Sequence, residues 1–112
     1  MTIDIEDLDG VQLLRLRGQL TGGEPNPLVE TLSARLTGRQ ARIVLDLAGV
    51  EYTNSAGLGA LVRLVAQANI QEARVVLVNL SAYLAGVLEL TKLDRFFEIC
   101  PDLDEALRRL GR

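Results

Sequence analysis

Two segments near the start of the chain alternate apolar with polar positions: Thr2 to Leu8, through Ile3 and Ile5, and Val11 to Arg17, through Leu14 and Leu16. A two-residue period puts alternate side chains on one face of a strand, so each segment predicts a half-buried β-strand. Asp9-Gly10 between them reads as a hairpin turn, because glycine takes positive φ without a Cβ clash and aspartate tolerates the left-handed region. Ile43-Val44-Leu45 and Val75-Val76-Leu77-Val78 lack that alternation. Continuous β-branched runs of this kind predict strands covered on both faces, at the centre of a sheet.

Elsewhere the period is helical. The segment Thr21-Gly22-Gly23-Glu24-Pro25-Asn26-Pro27 reads as a loop ending at a helix start, with Asn26 as N-cap and Pro27 as first helical residue. Leu28, Leu32 and Leu36 then share a face, and Gly38 supplies a left-handed stop. Ser55 to Gln71 carries Leu58, Leu61, Val62, Val65 and Ala68 at helical spacing between the two central strands, a strand-helix-strand unit with a right-handed crossover. Ser81 to Leu93 has a further stripe through Leu84, Val87 and Leu88, and Phe96-Phe97-Glu98-Ile99 is short enough for a last edge strand. Asp102 and Glu105 form a capping box before Leu103, Ala106, Leu107 and Leu110. The sum is one α/β domain over residues 1–112, a mixed sheet of about five strands with interleaved helices.

Composition narrows the function. The net charge of -3, from 12 basic and 15 acidic residues, provides no field to neutralise a nucleic-acid backbone. Arg108 and Arg109 are the only adjacent basic pair, so no polybasic anchor for a membrane surface emerges. The N-terminus has no basic start followed by an apolar run, and no stretch approaches a membrane span in length; a cytoplasmic protein without membrane insertion is expected. The single cysteine, Cys100, excludes an internal disulfide and reads as a small buried residue. No histidine is present, which excludes a Ser-His-Asp triad. Lys92 is the only lysine and nothing in its context pairs it with a serine. Neither GxxxxGK[ST] nor a complete GxGxxG occurs, so no phosphate loop is present and any nucleotide belongs to a partner. Asp46, Glu51, Asp102, Asp104 and Glu105 stand where carboxylates serve as caps and solvated charges. No catalytic role and no cofactor is assigned.

The informative segment runs from Leu45 through Asn54-Ser55-Ala56-Gly57-Leu58-Gly59-Ala60-Leu61, from a buried strand into a helix whose first residues are small and polar. Asn54 suits the N-cap, which makes Ser55 the first helical residue, beside backbone N–H groups that lack partners within the helix. A plain cap explains this arrangement, and so does a site where a phosphate on Ser55 is stabilised. Ala56, Gly59, Ala60, Arg63 and Gln67 fall on one helix face, apart from the leucine stripe. Two glycines in the opening turns cost about 1 kcal/mol each relative to alanine. Close approach accounts for that cost, whether by another protein's backbone or by the chain's own sheet.

The stretch Ile43 to Val62 resembles the signature of the STAS family: a strand ending in Asp46-Leu47, a short turn, and a motif usually written Asp-Ser-Ser/Thr/Ala-Gly-Leu-Gly, here Asn54-Ser55-Ala56-Gly57-Leu58-Gly59. The element order agrees over the whole chain, including the early Gly18-Gln19-Leu20 and the late Leu93-Asp94-Arg95-Phe96-Phe97. The resemblance implies a bacterial anti-sigma factor antagonist, a binding protein and not an enzyme. In such proteins the serine matching Ser55 is phosphorylated by a partner serine kinase that is also an anti-sigma factor, and the unmodified form binds that partner and frees the sigma factor. The expected partner-binding residues are Asn54, Ser55, Ala56, Gly57, Gly59, Ala60, Arg63 and Thr21. Two positions depart from the family pattern: Asn54 replaces the aspartate before the serine, and Thr21 replaces the aspartate common after the early Gly-x-Leu. Both remove negative charge near the phosphoacceptor. STAS-like domains also serve as accessory subunits of membrane transporters, lipid-trafficking ABC systems among them, and as scaffold parts of stress-signalling assemblies. A constitutive subunit of that kind is the alternative reading.

Overall fold

The computed structural model describes residues 1–23, 26–36 and 40–111. Strands β1 (Thr2–Leu8) and β2 (Val11–Leu20) form the antiparallel hairpin, with Leu8 paired to Val11. Asp9 and Gly10 both take positive φ, 55° and 92°, the combination a type I′ turn requires. After β2 come α1 (Pro27–Arg35), β3 (Arg42–Thr53), α2 (Ser55–Ile70), β4 (Arg74–Val78), α3 (Ala82–Leu90), a 3-10 turn (Leu93–Arg95), β5 (Glu98–Cys100) and α4 (Leu103–Arg109). The strands lie in the order β1-β2-β3-β4-β5, and β2 through β5 are parallel neighbours. This is the mixed five-stranded α/β sheet expected from the pattern.

Both faces of the sheet are covered, which is why β3 and β4 read as unbroken apolar runs. Ile43, Leu45, Val75 and Leu77 pack on one side with leucines of α1, α2 and α3. Val44, Val76 and Val78 face the other side, against Ala106 and Leu110 of the C-terminal helix and against Cys100. Cys100 is buried, and desolvation raises its thiol pKa above the ordinary value.

Several boundaries differ from the sequence expectation. β3 does not end at Asp46-Leu47 in a turn but continues to Thr53, with register shifts against β2 between Arg15 and Arg17 and between Gly18 and Gln19. Two extra residues in β3 change its phase, so buried positions after Leu47 recur at Val50 and Thr53 instead of every second residue. Asp46 Oδ1 accepts the Ala48 N–H at 3.0 Å within the first irregularity. β2 likewise runs past Arg17 to Leu20. Helix α1 has the expected cap, Asn26 Oδ1 accepting from Leu28 N and Val29 N at 3.1 and 3.3 Å; the expected stop at Gly38 lies outside the described residues. Helix α3 is shorter than expected. Ser81 is its N-cap, Thr91 its C-cap, and Lys92 follows in the left-handed region at φ 62°. The last strand begins after the two phenylalanines, with Phe97 buried and Phe96 exposed. Asp102 caps α4 through Glu105 N at 3.0 Å, while the Glu105 carboxylate pairs with Arg108 at 2.7 Å in place of closing the capping box.

Candidate functional site

The end of β3, the start of α2 and the loop after β2 meet at one corner of the sheet. Thr53 is buried, and its hydroxyl donates to the Leu20 carbonyl at 2.9 Å. The Tyr83 hydroxyl, from α3, accepts the Thr53 N–H and donates to the Thr53 carbonyl, both at 3.3 Å. Asn54 then caps α2, its Oδ1 accepting Gly57 N at 2.8 Å. These bonds fix the direction in which the helix leaves the sheet, so Ser55 emerges exposed as its first residue.

The loop after β2 lies across the first turn of α2. A Cβ on Gly57 would stand 2.0 Å from the Leu20 carbonyl oxygen, and one on Gly22 would stand 2.6 Å from the Ala56 Cβ. Neither distance leaves room for a methyl group, so these glycines permit backbone to meet helix directly. Asn26 secures the other end of the loop, its Nδ2 donating to the Thr21 carbonyl at 3.3 Å.

Beside this turn an open groove of about 650 Å³ separates α1 from α2. Ser55, Ala56, Gly59, Ala60 and Arg63 line it together, with Gln67 further along the same face, as their helical spacing predicts. Three expected residues do not line it. Gly57 is buried and faces Leu20 and Thr21, so it packs on the chain's own backbone. Thr21 lies on the far side of that contact, in a smaller cleft with Met1 and Pro27, and Asn54 is engaged as the cap beneath Ser55. Residues not singled out from the sequence complete the wall: Gly22 and Gly23 from the loop, and Val29 and Ser33 from α1. Tyr83 was also not anticipated. Only the tertiary fold brings α1 and α3 to this corner, and no local spacing signals it.

Arg63 is the only charged residue among the described residues that line the groove. Among the described residues of that lining there is no carboxylate or imidazole to take a proton from Ser55. The arrangement offers an exposed hydroxyl at a helix start, on the rim of an open groove where Ala56, Gly59 and Ala60 stand beside Arg63. Such a surface suits recognition by another macromolecule.

A family model described as the STAS domain matches residues 2–106. The chain belongs to the STAS domain family. BtrV of Bordetella bronchiseptica, named as an anti-sigma factor antagonist, is 24% identical over 106 residues, which make up 95% of this chain and 91% of BtrV. The crystal structure of an anti-sigma factor antagonist from Mycobacterium paratuberculosis matches with a TM-score of 0.84 and 26% identity, over 99% of this STAS chain and 94% of the other. An anti-sigma-factor antagonist (STAS) domain protein from Planctomyces limnophilus gives a TM-score of 0.81 at 25% identity, with 98% of both chains covered. Among the described residues no helix is long and apolar enough to cross a membrane.

Proposed function

We propose that this STAS domain is an anti-sigma factor antagonist that acts by binding. It docks on an anti-sigma factor through the groove beside Ser55, and the partner, acting as a serine kinase, phosphorylates Ser55 to end the contact. The observation that carries this reading is the placement of Ser55. It is exposed, it is the first residue of α2, and it shares the rim of one groove with Ala56, Gly59 and Ala60. Relatives named as anti-sigma factor antagonists cover nearly the whole chain.

The partner brings the nucleotide, because this chain has no phosphate loop. In the transfer, the bond between the ATP γ-phosphorus and its bridging oxygen breaks and ADP leaves. A bond from Ser55 Oγ to that phosphorus forms, and the hydroxyl proton passes to a base on the partner. The product carries about -1.5 to -2 additional charges on the rim of the groove. Burying that charge against an unmatched partner surface costs far more than burying a hydroxyl, so one modification disrupts the whole interface.

The test is incubation with the serine kinases of the same organism and ATP, followed by mass spectrometry. The reading predicts addition of one phosphate, abolished by Ser55→Ala; no mass change with any of them would reject the switch. A constitutive accessory or scaffold subunit would use the same groove, and differs in predicting partner binding that is indifferent to a phosphate on Ser55.

A further inference from the structure

Ser55, Gly59 and Arg63 succeed one another at four-residue steps along α2, so they form one row on the helix surface with a rise of about 6 Å per step. The Arg63 side chain does not extend into solvent away from that row. Its Nη1 atom lies 3.3 Å from the point where a Cβ on Gly59 would stand, so the guanidinium folds back over Gly59 towards the N-terminal end of the helix, the direction in which helical side chains lean. A longer side chain at position 59 would occupy that path. Among the described residues Arg63 has no hydrogen-bond or ion-pair partner, since none of the ion pairs or side-chain bonds includes it. Among the described residues nothing compensates its charge in the groove whose rim carries the Ser55 hydroxyl.

We infer that Arg63 is the intramolecular receptor for a phosphate on Ser55, reaching it across the gap left by Gly59. The inference rests on the phosphoswitch reading above and deepens it by naming what holds the modified state. The guanidinium makes the approach: it already leans towards the N-terminal end of the row, and its planar fork pairs with two oxygens of a phosphate carried on Ser55. The same contact withdraws Arg63 from the groove. Phosphorylation then both adds charge at Ser55 and removes the one cation that the described groove residues present to a partner.

The test uses the full chain with phosphoserine installed at position 55 during synthesis, so that no kinase or partner is needed, and follows the phosphate by phosphorus NMR as pH is varied. The second ionisation of a free phosphoserine lies near pH 6. Arg63 is expected to lower it, and Arg63→Gln to raise it back by about half a unit, modest because the pair is solvent-exposed. Arg63→Lys retains part of the effect, and the difference between the wild-type and Arg63→Gln chains collapses in 1 M salt, where screening acts over about 3 Å. Arg63 is exposed and has no partner among the described residues, so its replacement leaves the fold intact. An identical titration for the wild-type and Arg63→Gln chains would overturn the clamp while leaving the switch untouched. Failure of every kinase to modify Ser55 would instead remove the switch.

Discussion

The two glycines of the motif, only two residues apart, should respond in opposite directions to the same methyl group. In Gly57→Ala the new Cβ would stand 2.0 Å from the Leu20 oxygen, 2.6 Å from the Leu20 carbonyl carbon and 2.9 Å from the Thr21 Cα. All three obstacles are backbone, and the Leu20 carbonyl is anchored by the Thr53 hydroxyl at 2.9 Å, so they cannot turn aside as a side chain would. Forcing a methyl group into filled space costs about 1–3 kcal/mol, with rigid surroundings at the upper end. Improved helix propensity returns about 1 kcal/mol, for a net loss of about 2 kcal/mol. In Gly59→Ala the new Cβ meets only the tip of Arg63 at 3.3 Å, which is exposed and free to move, so the propensity gain of about 0.5–1 kcal/mol stands almost alone. For a domain of this size 1 kcal/mol moves Tm by about 4 °C. Thermal unfolding followed by circular dichroism should therefore show Gly57→Ala about 8 °C below the wild type and Gly59→Ala up to about 4 °C above it. If Gly57→Ala matched the wild type, the loop after β2 would not cover the first turn of α2, and the reasoning about this corner would be refuted.

Tyr83→Phe removes the hydroxyl that bonds both backbone groups of Thr53 and should cost about 1 kcal/mol, with faster amide hydrogen exchange concentrated at Thr53 and Asn54; exchange unchanged there would contradict the role given to the Tyr83 hydroxyl. Asn54→Ala leaves Gly57 N without its acceptor and should cost about 1 kcal/mol in urea denaturation, whereas Asn54→Asp preserves the cap and should stay within about 0.5 kcal/mol of the wild type. Hydrogen bonding from Arg108, and then the charge of Arg108, hold the Glu105 carboxyl below the usual carboxylate range. A depressed folded pKa contributes stability above the unfolded pKa, and that contribution disappears as pH falls through the folded value. Glu105→Gln should thus have a lower urea midpoint at neutral pH and converge with the wild type in strong acid; a gap that persists in acid would contradict the pairing.

What was legible in the sequence follows from how local each signal is. The hairpin, the two central strands and the caps at Asn26, Asn54 and Asp102 depend on neighbours within a few residues, and the structure has them in place. The full length of β3 was hidden because its extra residues break the alternation after Leu47, and only pairing with β2 reveals that the strand continues. The groove was half legible. Helical spacing gathers Ser55, Gly59, Ala60 and Arg63 on one face, but it cannot say that α1 provides the opposite wall through Val29 and Ser33. Gly57 stands apart from the groove although a contiguous motif invites reading all its residues as one surface. One residue step on a helix turns the side chain by about 100°, enough to put Gly57 against Leu20 while Ala56 faces outward.

The central claim is that the Ser55 groove is the docking face and that charge placed there controls it. Calorimetric titration of the partner anti-sigma factor with three chains tests it most directly: wild type, phosphoserine at position 55, and Gly59→Arg, which places a bulky cation in the middle of the groove. The account predicts measurable binding by the wild type and at least about 100-fold weaker binding by the other two, corresponding to about 2.7 kcal/mol. Equal affinity for all three would show that the partner docks elsewhere on the molecule.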